Sequence, residues 1–344
     1  MKSLTGAAAF FLFHMLVLFP GSAHADRPQT GGVADGSVAQ ADGSTAETVE
    51  WSSQGARHVY GLPDAKANQK GTLTLSGNEL SFSGKGGSTS ILRQSITAVS
   101  AGNQRVEIWG MKGRVLRAVI PDGGGVAAAM FMHHQVDMLT VEFVDARGGY
   151  HGAVFFLPAN EAAKALAVFA QVPVVAREAP VSGCQDGFVR PHSLLLAAPV
   201  WDQVDVPAAY RALVYEQLLN RLRQVKGLDR VYRDGEGHGG QGCPEYTLQL
   251  AISGFKEGSQ VKRAVLGPAG FFLSTTQMRF AATVTDASGA VQLQQEIKAT
   301  TRGETESTSV ATSVAKKLAK QYDGMLRKTP ENKTVMGVGV SAFR

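Results

Sequence analysis

From Gly71 the chain alternates apolar and polar residues with period two. Leu73 and Leu75 alternate with Thr72 and Thr74, Gly77-Asn78 reverses the chain, and Leu80 and Phe82 alternate with Ser81 and Ser83. Alternation on both sides of a Gly-Asn turn predicts a β-hairpin with one buried face. Segments 96–99, 106–109 and 115–120 read as further strands, and 127–132 as a short helical turn. Leu139, Val141 and Phe143 alternate with Thr140 and Glu142, and Asp145 to Gly149 forms a tight turn into a strand over 152–157. Asn160 is positioned to cap a helix with Leu166 and Phe169 on its apolar stripe, ending before Pro173.

A second pattern begins after Phe188. Residues 193–200 are a short apolar run, as in a buried strand. Pro207 suits the first turn of a helix whose Tyr210, Val214, Leu218, Leu222 and Val225 recur at helical spacing, with Gly227 as the stop. Val231-Tyr232 suggests a short strand. Leu248, Leu250 and Ile252 alternate, as do Met278, Phe280, Ala282 and Val284. Asp286-Ala287-Ser288-Gly289 turns the chain into a partner strand with Val291, Leu293 and Ile297, and a last helix carries Val310, Val314, Leu318 and Tyr322 on one face. The order strand, helix, four strands, helix predicts a sheet with helices packed on one face.

The opening Gly-x-Leu-x-Leu, Leu80-x-Phe82 and a final strand leading into an amphipathic helix resemble the bacterial pleckstrin-homology-like and GRAM-like domains over 51–172. The resemblance implies a bent antiparallel barrel plugged by its C-terminal helix, with loops that bind partners. Lys85 and Arg93 are too sparse for a phosphoinositide-binding loop. Residues 187–329 are similar to the periplasmic domain of the curli-secretion lipoprotein and to related uncharacterised envelope domains. The shared features are the opening strand, the helix ending in Gly and the pair of strands joined by Asp286 to Gly289. This resemblance carries no catalytic residues. The chain lacks that family's lipid-acceptor Cys, so outer-membrane anchoring and pore formation do not transfer. The fold class expected is therefore α+β: an antiparallel PH-like barrel with a C-terminal helix, then an α/β sandwich with two helices on a mostly antiparallel sheet.

The N-terminus changes the compartment. Lys2 precedes an almost unbroken apolar run from Ala7 to Phe19, then Pro20-Gly21, and Ala23-His24-Ala25 places small residues where a signal peptidase reads. Residues 1–25 read as a signal peptide, and nothing later has the length and apolarity of a membrane span. About 320 residues remain, enough for two ordinary domains. Residues 26–50 hold almost no large apolar side chains and read as a disordered leader. Residues 173–186 read as a linker, and 330–344 as a flexible tail. The net charge of +5 is modest and scattered. The cluster Lys316, Lys317, Lys320, Arg327 and Lys328 reads as a solvated helix face rather than a nucleic-acid footprint.

The cysteines are two, Cys184 and Cys243. In an oxidising space an isolated pair is most simply a disulfide, and closing a loop of about 60 residues stabilises by roughly 4 kcal/mol. His133, His134 and Asp137 are the densest group of potential metal ligands. On a helix His133 and Asp137 share a face, with His151 as a third ligand from elsewhere, although no zinc spacing is present. Gly235-x-Gly237-x-x-Gly240 lacks the helix that a dinucleotide fingerprint requires. His192 beside Ser193 is a nominal base and nucleophile, but adjacent strand residues point to opposite faces. The Gly-rich segment 254–270 holds Lys256, Lys262 and Arg263 next to Phe271 and Phe272, a candidate partner-contact loop.

The sequence thus predicts a non-enzymatic, periplasmic or secreted envelope protein without a cofactor, binding another envelope protein or cell-envelope component and no nucleic acid. The competing reading is a metal-dependent hydrolase centred on His133, His134 and Asp137.

Overall fold

Seven strands alternate along the first half: β1 (Val49–Tyr60), β2 (Gln69–Ser76), β3 (Glu79–Gly84), β4 (Gly87–Leu92), β5 (Ile96–Glu107), β6 (His133–Val144) and β7 (Tyr150–Leu157). They come from a computed structural model that describes residues 49–107, 133–170, 188–200, 204–236, 242–256, 275–301 and 309–328. They form one antiparallel sheet in the order β4-β3-β2-β1-β7-β6-β5. The β2–β3 hairpin pairs Leu75 with Leu80 and Leu73 with Phe82, in the register the alternation predicts.

The sheet is strongly curled. β4 and β5 are its opposite edges, yet only the 3₁₀ turn Arg93–Ser95 separates them along the chain. Six inter-strand steps would hold the edges of a flat sheet ~29 Å apart, about twice the ~14 Å that the connection from Leu92 to Ile96 can span. The two edges therefore meet at one corner. Arg93 fastens it, donating to Glu50 Oε1 at 2.7 Å, to the Gly77 carbonyl at 3.2 Å and to the Val168 carbonyl at 3.5 Å. Among the described residues no β4–β5 pairing closes the sheet, so the closed barrel expected from the sequence is not formed.

Helix α1 (Glu161–Phe169) buries Ala162, Ala165 and Phe169 against the inner face of this sheet, alongside Leu73, Phe82, Leu139 and Phe155. Its cap differs from the expectation. Asn160 adopts a left-handed conformation (φ 68°) and makes no capping bond with its side chain. The Ala162 N–H instead donates to Asp137 Oδ2 at 3.1 Å, so a carboxylate from β6 satisfies one of the helix's orphan donors.

The second half runs β8 (Val189–Leu196), α2 (Ala208–Leu222), β9 (Arg230–Arg233), β10 (Cys243–Lys256), β11 (Thr276–Asp286), β12 (Val291–Thr301) and α3 (Ser309–Lys328). This is the element order read from the sequence. The sheet order is β12-β11-β10-β8-β9; β10 to β12 are antiparallel, while β8 lies parallel to both β9 and β10. The parallel pair β8–β9 follows from the α2 crossover between them. Leu248, Leu250, Ile252, Met278, Phe280, Ala282 and Val284 are buried against the helices.

Helix α2 is buried almost all round, as befits a helix covered on several sides. It shares one core with α3, with the second sheet and with the outward face of β6 and β7, which contributes Val136, Met138, Val154 and Phe156. Every residue of β7 is buried, with Ala153, Phe155 and Leu157 in the first core and Tyr150, Val154 and Phe156 in the core shared with α2. Gly152 makes the close approach feasible: a Cβ there would lie 2.5 Å from the Cβ of Ala212. The alternating pattern of β6 and the continuous apolar run of β7 are both explained by this second covering layer.

Candidate functional site

The densest set of titratable side chains lies where α2 and β9 meet the β6–β7 turn. Glu216 on α2 and Arg233 on β9, both nearly inaccessible, form a two-pronged pair: Nη1 to Oε1 at 2.7 Å and Nη2 to Oε2 at 2.9 Å. Arg233 Nη1 also donates to the Tyr150 carbonyl at 2.8 Å, and the Gly152 N–H donates to Glu216 Oε1 at 3.2 Å. The Tyr150 N–H donates to the Asp234 carbonyl at 2.8 Å, so the backbones of β7 and the β9 turn are joined. Burial disfavours the Arg233 cation, but the Glu216 carboxylate outweighs that and holds its pKa above the usual value.

His151 sits against this pair. Its ring stacks on Phe143, with centroids 4.9 Å apart, and its Nε2 lies 3.2 Å from Asp145 Oδ2. Nδ1 faces Glu216 Oε1 at 3.7 Å. Burial, aided by the Arg233 cation, pushes the His151 pKa below its ordinary value despite the nearby carboxylates. In its neutral form with the proton on Nε2, the ring donates to Asp145 Oδ2. Burial opposes ionisation of Asp145, but the N–H groups of Gly149 and Arg147, together with His151, hold its carboxyl below the usual range. Further out, Glu236 meets Arg230 and Arg147, and Glu142 meets Arg211 at 2.9 Å.

Beside this network two clefts open, of about 480 and 420 Å³, and both touch Tyr60, Ala67 and Asn220. Tyr60, at the end of β1, is hydrogen-bonded to the Asn220 side chain, and burial raises its phenol pKa above the usual value. The smaller cleft reaches toward His58, Glu216 and Arg233. His58 is a satisfied core histidine: Nδ1 donates to the Lys66 carbonyl and Nε2 accepts from the Leu62 N–H, both at 3.0 Å. The larger cleft is walled by the polar positions Gln217, Asn220 and Arg221 of α2, by Gln224 just beyond its end, by Asn68 of the β1–β2 loop, and by Ser309 and Thr312 at the start of α3. These α2 positions recur at helical spacing as the one polar stripe facing the cleft, a signal present in the sequence that its apolar stripe obscured.

His133, His134 and Asp137 lie on strand β6, not on a helix, because that segment pairs with β5 over its whole length. Asp137 caps α1, and His151 is opposite Phe143, far along the strand pair from the Asp137–Leu157 position. Among the described residues no group of three or more His, Cys, Asp or Glu is arranged to hold a metal ion. Ser193 is fully buried and its Oγ donates to the Arg190 carbonyl at 2.6 Å; the neighbouring His192 is exposed in a left-handed bulge (φ 56°). Cys243 is buried at the start of β10. Lys256 is exposed at the end of that strand. Cys184, Gly237, Gly240, Lys262, Arg263, Phe271 and Phe272 lie outside the described residues, as do the signal-peptide, linker and tail segments. Among the described residues no helix is long and apolar enough to cross a membrane.

No protein-family model matches the chain, and no curated protein matches it. Solved structures similar to part of it include a hypothetical protein from Chlamydia trachomatis, at 9% identity and TM-score 0.31, covering 39% of this chain and 96% of that one. A Xanthomonas campestris protein of the DUF330 family aligns at 13% identity and TM-score 0.26, covering 42% and 87%. The PelC dodecamer from Paraburkholderia phytofirmans aligns at 19% identity and TM-score 0.28, covering 40% and 91%. These likenesses span under half of the chain and assign it to no family.

Proposed function

We propose that this chain is a non-enzymatic binding or assembly module of the cell envelope, periplasmic or secreted, whose ligand site is the larger cleft beside Tyr60 and Asn220. One observation carries this reading. The buried acids and bases at the junction of the two halves are consumed in pairing with one another, while the adjoining open cleft is lined chiefly by amide and hydroxyl groups. Such a surface binds by hydrogen bonding and offers no poised acid–base set. Residues 51–172 act as a curled PH-like module and residues 187–329 as the module that completes the cleft through α2 and α3. A disulfide between Cys184 and Cys243 ties the entry of the second module to β10, and Lys256, Lys262, Arg263, Phe271 and Phe272 form a second contact region. No cofactor takes part.

The test is affinity capture from solubilised envelopes by the mature chain. An envelope component retained by the native protein and lost with Gln217→Leu in the cleft supports the reading. Stoichiometric zinc in the purified protein, lost on His133→Ala, would reject it in favour of a metal-dependent enzyme. For the disulfide, a thiol-reactive label should attach only after reduction; labelling of the untreated, folded protein would remove the bridge from the reading.

A further inference from the structure

The larger cleft is more selective than its size suggests. Its volume of about 480 Å³ falls in the range of small-molecule sites, ~300–1,000 Å³. Its wall is chemically biased. Four carboxamides face it, Asn68, Gln217, Asn220 and Gln224. A carboxamide offers both donors and an acceptor, which suits hydroxyl groups that do the same. The buried Oε1 of Gln217 has no hydrogen-bond partner among the described residues, so its amide gains a bond by turning toward a ligand hydroxyl.

Charge narrows the ligand further. Among the described residues of the lining Arg221 is the one ionised side chain, and none of them carries a carboxylate. Among the described residues Arg221 forms no ion pair, unlike Arg211, Arg230 and Arg233. A guanidinium fork recognises a carboxylate in two-pronged fashion. The first turn of α3 contains no acidic residue to offset that positive potential. A single arginine suits one negative charge; a phosphate dianion calls for more cations than the described lining supplies.

Resting on the binding reading above, we infer that this cleft takes an acidic sugar unit: a carboxylate held by Arg221, with ring hydroxyls held by Gln217, Asn220 and Asn68. The aromatic ring of Tyr60 and the side chain of Val59 give the ring's apolar face somewhere to rest.

The experiment is calorimetric titration of the full mature chain with three probes: a galacturonate tetrasaccharide, the neutral tetrasaccharide maltotetraose, and inorganic phosphate. The acidic sugar should bind at least about tenfold tighter than either of the others, and more weakly as salt is raised. Arg221→Gln should abolish that preference, while Gln217→Leu should weaken the acidic sugar with its preference over phosphate intact. Both variants should melt as the native chain does. Equal binding of the neutral sugar, tighter binding of phosphate, or no binding of any probe at millimolar concentration overturns the assignment. Each of those results leaves capture of an envelope component by the native chain as a separate outcome, so the ligand class and the binding role fail independently.

Discussion

Arg233 and Glu216 face each other through two parallel N–H···O bonds of 2.7 and 2.9 Å, on side chains that are only 7% and 5% exposed. They belong to different elements, β9 and α2, and both also hold the backbone of β7. The pair is thus the point at which three elements are locked in one register.

Removing one member leaves the other charge buried and unpaired. Arg233→Met alone, or Glu216→Leu alone, should each cost about 3–5 kcal/mol in urea unfolding. The double variant should cost clearly less than the sum, because it strands no charge. Additive losses would show that the two groups are not coupled.

Gly152 is the contact that seats α2 on β7. Gly152→Ala would bring a Cβ to 2.5 Å from the Ala212 Cβ and 3.0 Å from its Cα, where only backbone movement relieves the clash. Overpacking of this kind costs ~1–3 kcal/mol. Pairing the change with Ala212→Gly should restore only part of the loss in thermal melts, since it removes the Cβ contact, leaves the Cα at 3.0 Å and puts a glycine inside α2.

Both buried histidines should make the fold acid-sensitive. His58 and His151 have pKa values lowered chiefly by burial, so the unfolded chain takes up protons first as pH falls. Their contribution is neutral well above the ordinary pKa of about 6.5 and becomes a penalty below it. The melting temperature should fall between pH 7.5 and 5.5. His151→Phe, which keeps the stack on Phe143, should flatten that slope.

Asp137 acts as a capping group. Asp137→Ala should cost about 1 kcal/mol through the start of α1, and Asp137→Asn, which keeps an acceptor, much less. Equal losses for the two would argue against the cap.

Residues 51–172 carry their own core, but the outward face of β6 and β7 presents Val136, Met138, Val154 and Phe156 to α2. Expressed alone, that segment should self-associate, as size-exclusion chromatography would register; Val154→Thr with Phe156→Thr should reduce the association.

The periodic elements were legible from sequence because each periodicity reports one buried face. The β2–β3 hairpin and the α3 stripe Val310, Val314, Leu318 and Tyr322 correspond to the residues found buried. What escaped depends on contacts between distant segments. Spacing along β6 does not reveal that Asp137 caps a helix, and His133 to Asp137 reads as helical when the pairing with β5 is unseen. The cleft joins Tyr60 to Asn220 and Ser309, whose separations along the chain leave no local signal. The burial of α2 on several sides was partly visible, since Ala209, Ala212, Leu213 and Leu219 are apolar yet fall off the single stripe that was read.

The corner at Arg93–Ser95 bears on solubility. A flat antiparallel sheet presents two rims of unsatisfied amides, each a template on which a foreign strand can grow. Here both rims are bent toward the same three-residue link, and one of them is the six-residue β4. A strand approaching from another molecule finds only six residues to pair with along β4, so that rim resists runaway stacking through its shortness and the corner that ends it.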